Sequence, residues 1–148
     1  MAEKRSNLAK DRNKGMKALL GVDATDYLKL AEKVESGLSF DTFERVGRVS
    51  GLSTDDLRSA IRIAPRTLTR RRIEKRLSPE ESDRLVSVSR LLSQAIELFE
   101  GDVKAALDWF TSKNRALGGI SPLSAASTEI GSREVEALIG RLEYGVFT

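Results

Sequence analysis

Residues 58–76 carry eight basic side chains, Arg58, Arg62, Arg66, Arg70, Arg71, Arg72, Lys75 and Arg76, against a single acid, Glu74. The chemistry open to such a set is recognition of a polyanion. Guanidiniums bind phosphate oxygens or bridge guanine O6 and N7, and the interleaved Thr67 and Thr69 hydroxyls can reach bases or phosphates. The island stands out because its surroundings do not share its sign. Net charge runs +4 over residues 1–17, −4 over 18–57, +7 over 58–76 and −4 over 77–148, for +3 overall. That is a patch rather than a uniformly basic surface. No aromatic residue lies within it, so a base-stacking platform for single strands or RNA is missing there, and duplex DNA is the expected ligand.

Other chemistry is thin. The chain has no cysteine and no histidine. This removes thiolate nucleophiles, disulfides, thiolate zinc sites, the usual neutral-pH general base and the commonest transition-metal ligand. The carboxylate pairs Asp55/Asp56 and Glu80/Glu81 each fall in the first turn of an expected helix, where capping is their ordinary use. The stretch Asn114-Arg115-Ala116-Leu117-Gly118-Gly119 resembles a phosphate-cradling loop, but no strand precedes it and no P-loop lysine follows, so a helix-ending turn is expected. Trp109 reads as a core or interface anchor. No cofactor, metal or catalytic residue is expected.

The elements that must position these groups are helices. At 148 residues, with 40% hydrophobic and 32% charged residues, the chain fits one domain or two small ones sharing a core. No apolar run approaches the ~20 residues of a membrane span. Residues 1–22 read as a basic flexible tail, with a short helix over Leu8 to Leu20 as an option. Asp23 or Thr25 caps a helix to Ser36, with Leu28, Ala31 and Val34 inward and Gly37 as its stop. Ser39 precedes a second helix whose Phe40, Phe43, Val46 and Val49 share a face, ended by Gly51. Ser53 opens a short helix with Leu57, Ala60 and Ile61 inward. Pro65 opens the basic one.

Ser78-Pro79-Glu80-Glu81 is a capping box, starting a helix in which Leu85, Val88, Leu92, Ala95, Ile96 and Phe99 keep one beat to Gly101. Asp102 caps a helix with Val103, Ala106, Leu107 and Phe110 inward. Ser121-Pro122 starts a short helix, and Ser132 caps a last one with Val135, Leu138, Ile139 and Leu142 inward. With no credible strand, the fold expected is all-α.

Two short helices joined by about three residues form a helix-turn-helix candidate. With Leu68 buried, Arg66 and Arg70 face the opposite way at ~100° per residue, as base readers flanked by Thr67 and Thr69. Arg58 and Arg62 are placed for phosphate, and Arg71 completes the DNA-contact set. The pattern common to such motifs has a small residue where Arg58 stands, glycine at Arg62 and an apolar residue at Arg71. A one-residue slip of the recognition register therefore stays open. Ile73, well away from Leu68 on the helical wheel, is expected to pack on another subunit or element. At the C-terminus, Tyr144, Val146 and Phe147 either dock on the protein's own core or are offered to a partner.

Four ordered blocks carry a family resemblance. They are Arg76-Leu77-Ser78-Pro79-Glu80-Glu81-Ser82-Asp83-Arg84-Leu85; Phe99-Glu100-Gly101-Asp102 with Ala105-Ala106-Leu107-Asp108-Trp109-Phe110; Asn114 through Leu123; and Arg141-Leu142-Glu143-Tyr144-Gly145-Val146-Phe147. On these, residues 77–148 resemble the toxin-binding domain of the Xre/MbcA/ParS antitoxin family. Its toxin partners carry the RES domain or a related ADP-ribosyltransferase-like fold. Residues 23–76, most clearly from about 39 onward, resemble the Xre-like helix-turn-helix that the family places upstream.

The resemblance implies a bacterial type II antitoxin that binds its cognate RES-domain toxin and represses their shared operon through operator DNA. RES-type toxins consume NAD, so NAD is implied to be the toxin's substrate and not this chain's cofactor. It also implies a toxin interface that includes Leu117, Gly118 and Gly119, and the terminal Arg141, Glu143, Tyr144, Gly145, Val146 and Phe147. A cytoplasmic, non-enzymatic homodimer is expected, since one recognition helix covers only a half-site. The alternative is a stand-alone transcriptional regulator whose C-terminal half dimerises or senses a ligand.

Overall fold

A computed structural model describes residues 14–145, and every regular element among them is a helix. In chain order these are α1 (14–20), α2 (Tyr27–Ser36), α3 (Phe40–Ser50), α4 (Thr54–Ala60), α5 (Pro65–Glu74), α6 (Pro79–Leu98), α7 (Val103–Thr111), α8 (Pro122–Ala125) and α9 (Glu129–Glu143). A single 3₁₀ turn, Arg115–Leu117, lies between α7 and α8. The all-α expectation holds.

Local side-chain capping sets most of these boundaries. The Ser39, Ser53, Asp102 and Ser121 side chains each accept a backbone N–H of the helix they precede. Ser78 forms the full reciprocal box, its Oγ accepting from Glu81 N at 3.1 Å while Ser78 N donates to Glu81 Oε1 at 2.8 Å. Such caps satisfy orphan backbone donors and contribute about 1 kcal/mol each.

The α6 helix is the axis of the molecule, packing against α2, α7 and α9. Leu85, Val88, Leu91, Leu92 and Ala95 are fully buried along it, and so are its polar Ser82, Ser89, Ser93 and Gln94. One apolar stripe therefore understates its burial, because neighbours cover it on several sides. The buried cluster runs without a break from Met16 to Ile139.

Three expectations are corrected. The N-terminal tail lies outside the described residues up to position 13, but residues 14–20 are helical, in line with the optional helix over Leu8 to Leu20 and against a flexible tail there, with Met16, Leu19 and Leu20 buried. Their i, i+3, i+4 spacing lines one helical face and docks it. In α2, Asp26 caps, not Asp23 or Thr25; Leu30 is the buried residue and Leu28 is 80% exposed. The last helix starts four residues early, capped by Thr128, and Ser132 lies inside it with Oγ donating to Ala126 O at 3.1 Å. Smaller departures are Val49 and Val103, which are exposed rather than inward, and Ala31, also exposed.

Gly131 explains the early start of α9. A glycine there reads as a helix breaker, yet it sits in the first turn, where a Cβ would overlap the Ala125 carbonyl oxygen. Close approach of α8 to α9 demands it. Gly131→Ala is expected to destabilise the fold by about 1–3 kcal/mol through this clash, read as a lowered midpoint in chemical denaturation. An unchanged midpoint would show that the α8–α9 contact relaxes freely.

The helix-turn-helix region is tied at its base. Phe40 N donates to Lys75 O at 3.1 Å and Leu77 N to Leu38 O at 2.9 Å, an isolated antiparallel bridge centred on Ser39 and Arg76. Arg76 adds bonds to Ser36 O at 2.8 Å and Gly37 O at 3.2 Å, and Leu38 N donates to the buried Ser82 Oγ at 2.8 Å.

Candidate functional site

The α4–turn–α5 unit has the helix-turn-helix form. Leu57, Ala60, Ile61 and Ile63 bury the first helix and the turn, and Leu68 is the buried residue of α5. Pro65 occupies the first turn of α5, and Ala64 precedes it without a side-chain cap. The turn itself is tight: Arg62 has φ 60, a left-handed backbone. L-residues with a Cβ pay strain in that region, which accounts for the preference for glycine at this place in such motifs.

The arginines divide into two groups. Arg66 and Arg70 are exposed on the side of α5 away from Leu68, and Arg62 is exposed in the turn. Arg70 meets only Glu74, at 3.5 Å on the surface. Thr69 is exposed, with Oγ1 donating back to Pro65 O at 3.3 Å, and Thr67 is half-buried.

Arg58 and Arg71, in contrast, are held inside the protein. Arg58 bonds Asp55 Oδ1 through Nε at 3.1 Å and Nη2 at 2.7 Å, while Nη1 donates to Ile63 O at 2.6 Å. It thereby clasps the turn. Arg71 forks onto Glu81, Nε to Oε1 at 2.7 Å and Nη2 to Oε2 at 3.2 Å, and reaches Glu74 Oε2 at 3.2 Å. Each of these two arginine side chains is only 18% exposed. Their geometry makes them positioning residues, not free phosphate contacts. Arg72, named only within the basic island, lies 5.4 Å over the Phe40 ring.

The Arg71–Glu81 pair perturbs both groups. Burial opposes ionisation of Glu81, but the Arg71 and Ser78 hydrogen bonds and the Arg71 charge together hold its carboxyl below the ordinary glutamate range. The hydrogen bond to Glu81 raises Arg71 against its own desolvation. Because Glu81 also closes the capping box, one carboxylate fixes the start of α6 and the orientation of α5 at once.

In the C-terminal half the candidate residues fall into two places. Leu117 is half-buried against the core, and Gly118 and Gly119 are exposed with φ 71 and 89. Asn114 organises this loop: its Oδ1 accepts from Ala116 N at 2.9 Å and its carbonyl from Gly119 N at 2.9 Å. The loop borders a shallow apolar groove lined by Leu117, Ile120, Ala125, Ile130 and Gly131. Ile120 and Ile130, 48% and 79% exposed, belong to this surface and were not anticipated; an isoleucine directly after a glycine pair was the available signal for the first.

The second place is the end of α9. Arg141 and Glu143 are half-buried, Tyr144 is 66% exposed at the C-cap, and Gly145 turns the chain with φ 67. Tyr144 therefore does not cover the protein's own core. Val146 and Phe147 lie outside the described residues. Ten residues of helix separate Glu134 at the groove from Tyr144, about 15 Å, so the two patches sit at opposite ends of α9. Among the described residues no acidic cluster could hold a metal, and no helix is long and apolar enough to cross a membrane.

A helix-turn-helix with a buried underside and exposed arginines on its second helix, joined through one long helix to a helical C-terminal half, places the chain in the class of two-part helix-turn-helix proteins. Two family models match the chain, one after the other. Residues 29–90 match the Antitoxin Xre-like helix-turn-helix domain, and residues 94–145 match the Antitoxin Xre/MbcA/ParS C-terminal toxin-binding domain. A protein named Antitoxin Xre from Yersinia enterocolitica is 36% identical over 130 residues, covering 87% of this chain and 88% of that one. Another of that name from Photorhabdus laumondii is 31% identical over 114 residues, covering 76% of this chain and 77% of that one. The chain belongs to the Xre antitoxin family.

Proposed function

We propose that this protein neutralises a cognate RES-type, NAD-consuming toxin and represses their shared operon by binding operator DNA as a homodimer in the bacterial cytoplasm, with no catalysis of its own. The observation that carries the DNA half is the exposed face of α5, where Arg66 and Arg70 have no partner inside the core. Arg62, Thr67 and Thr69 flank them. Arg58 and Arg71 support that face from behind. Two such faces related by a two-fold axis match the two half-sites of an operator.

The toxin half rests on the family match over residues 94–145 and on Tyr144, an aromatic left uncovered where α9 ends. Arg141 and Glu143 supply charge beside it, and Gly145 ends the helical course with a left-handed backbone; Val146 and Phe147 complete the proposed contact set. Leu117, Gly118 and Gly119 border a second contact at the other end of α9. In this reading the terminus occupies the toxin's active-site cleft or its rim, and NAD is the substrate it excludes.

The test is co-expression with the product of the adjacent gene, followed by pull-down and an NAD-consumption assay. Deleting residues 144–148 should leave a folded, DNA-binding protein whose toxin inhibition falls by at least ~30-fold, the loss expected for removing buried aromatic anchors. Full inhibition by the truncated protein would remove the terminus from the mechanism. Absence of any toxin complex would return the C-terminal half to a dimerisation or sensing role.

A further inference from the structure

We infer that Ile73 reads the 5-methyl group of a thymine in the major groove, making it a specificity-determining residue of the DNA surface; this rests on the DNA-binding reading of α5. Ile73 is 77% exposed, and with Pro65, Arg66, Thr69, Arg70 and Glu74 it lines one shallow concavity on that helix. At ~100° per residue Ile73 lies about 20° from Arg66 around the axis, inside the arc between Thr69 and Arg70. It sits in the middle of the arginine face, not at its edge. Of the two expectations for it, packing on another subunit or on another element, the second is not met among the described residues, none of which covers it.

Charge decides what does cover it. Ile73 is flanked by Arg66 and Arg70, so its partner must present an apolar group amid negative charge. A thymine methyl on the floor of a groove walled by phosphates has that character, and apolar side chains contact it in direct readout. A second copy docking through the same face would instead bring Arg66 and Arg70 against their own equivalents, a like-charge arrangement that costs affinity. Seven residues separate Arg66 from Ile73, a rise of about 10 Å. Along a groove rising ~3.4 Å per base pair, the thymine lies two to four base pairs from the base that Arg66 reads.

The full-length protein and its Ile73→Ala variant are each used to select binding sites from a random duplex library. Thymines in the selected site are then replaced one at a time by deoxyuridine, which removes the methyl and preserves pairing. One replacement is expected to weaken the wild type about fourfold, the contribution of one buried methyl-sized group. Ile73→Ala is expected to bind the original site three- to tenfold more weakly, to ignore that replacement, and to lose thymine at that position in its own selection. Matching melting curves for the two proteins establish that the variant is folded, as its exposure requires.

Identical selected sites and identical uracil sensitivity in the two proteins overturn the inference and leave the DNA-binding reading standing. So does a variant that keeps its uracil sensitivity but sediments as a smaller species, which assigns Ile73 to a dimer contact. Failure of the wild type to enrich any sequence overturns the DNA-binding reading, and this inference with it.

Discussion

Glu81→Ala is expected to lower the stability of the folded chain by about 3 kcal/mol, at the lower end of what breaking a buried ion pair costs. The substitution leaves Arg71 without its forked partner and opens the capping box at Ser78. Arg71 keeps Glu74 at 3.2 Å, which moderates the loss. Glu81→Gln retains an acceptor for Ser78 N but sets an amide N–H group against one Arg71 donor, and should cost about 2 kcal/mol, within the range for a hydrogen bond to a charged group. Denaturant midpoints of the two variants separate these contributions.

The same carboxylate predicts an acid limb. Its folded pKa is depressed, so its stabilisation is complete above the ordinary glutamate value near 4.5 and is lost as pH falls below that towards the folded pKa. Glu81→Gln should flatten this part of the stability–pH curve. A curve of unchanged slope below pH ~4.5 would remove Glu81 as its origin.

The second large effect is on DNA. Replacing Arg66 and Arg70 together by alanine is expected to cost about 2–6 kcal/mol of operator binding, from ~1–3 for each base-reading arginine, or roughly 30-fold to 10⁴-fold in Kd. Arg70 must leave Glu74 to reach DNA, but an exposed pair of this kind contributes at most ~1 kcal/mol, so the competition is weak. Fluorescence anisotropy at several salt concentrations is the measurement. The double variant should lose discrimination between operator and random duplex. Arg58→Ala and Arg71→Ala should instead lower thermal stability with base preference retained. Operator discrimination that survives loss of both Arg66 and Arg70 would move recognition to another helix.

What was legible in the sequence is what acts over a few residues. Ser39, Ser53, Ser78, Asp102 and Ser121 cap helices as their positions suggest, and Gly37 and Gly51 end them. Leu68 and its opposed arginines follow from helical geometry alone. Less legible was whatever depends on partners far along the chain. Helical position sets Arg71 nearer the side of Leu68 than Arg70, but nothing local names its partner, Glu81 ten residues on, while Arg70 faces solvent. Leu28 and Leu30 are equally apolar, and only docking of α2 on α6 chooses between them. Nothing local marks Gly131 as the place where α8 crowds α9, since the clash a Cβ would make there is with the Ala125 carbonyl oxygen.

The clasp at the foot of the helix-turn-helix has a consequence for how such a protein can diversify. Chain leaves the α2–α6 framework at Leu38 and re-enters it at Leu77, two residues joined by a 2.9 Å hydrogen bond. Gly37 is part of that closure, because a Cβ there would overlap the Leu77 carbonyl oxygen. The intervening segment is thus a cassette plugged into one socket, and segments whose ends meet are the kind that tolerate exchange and insertion. Recombination between paralogues at this neck could swap operator specificity while α6 to α9 stay as they are. The constraint on any incoming cassette is physical: it must supply an arginine to meet Glu81 and an apolar underside to replace Leu57, Ile61 and Leu68.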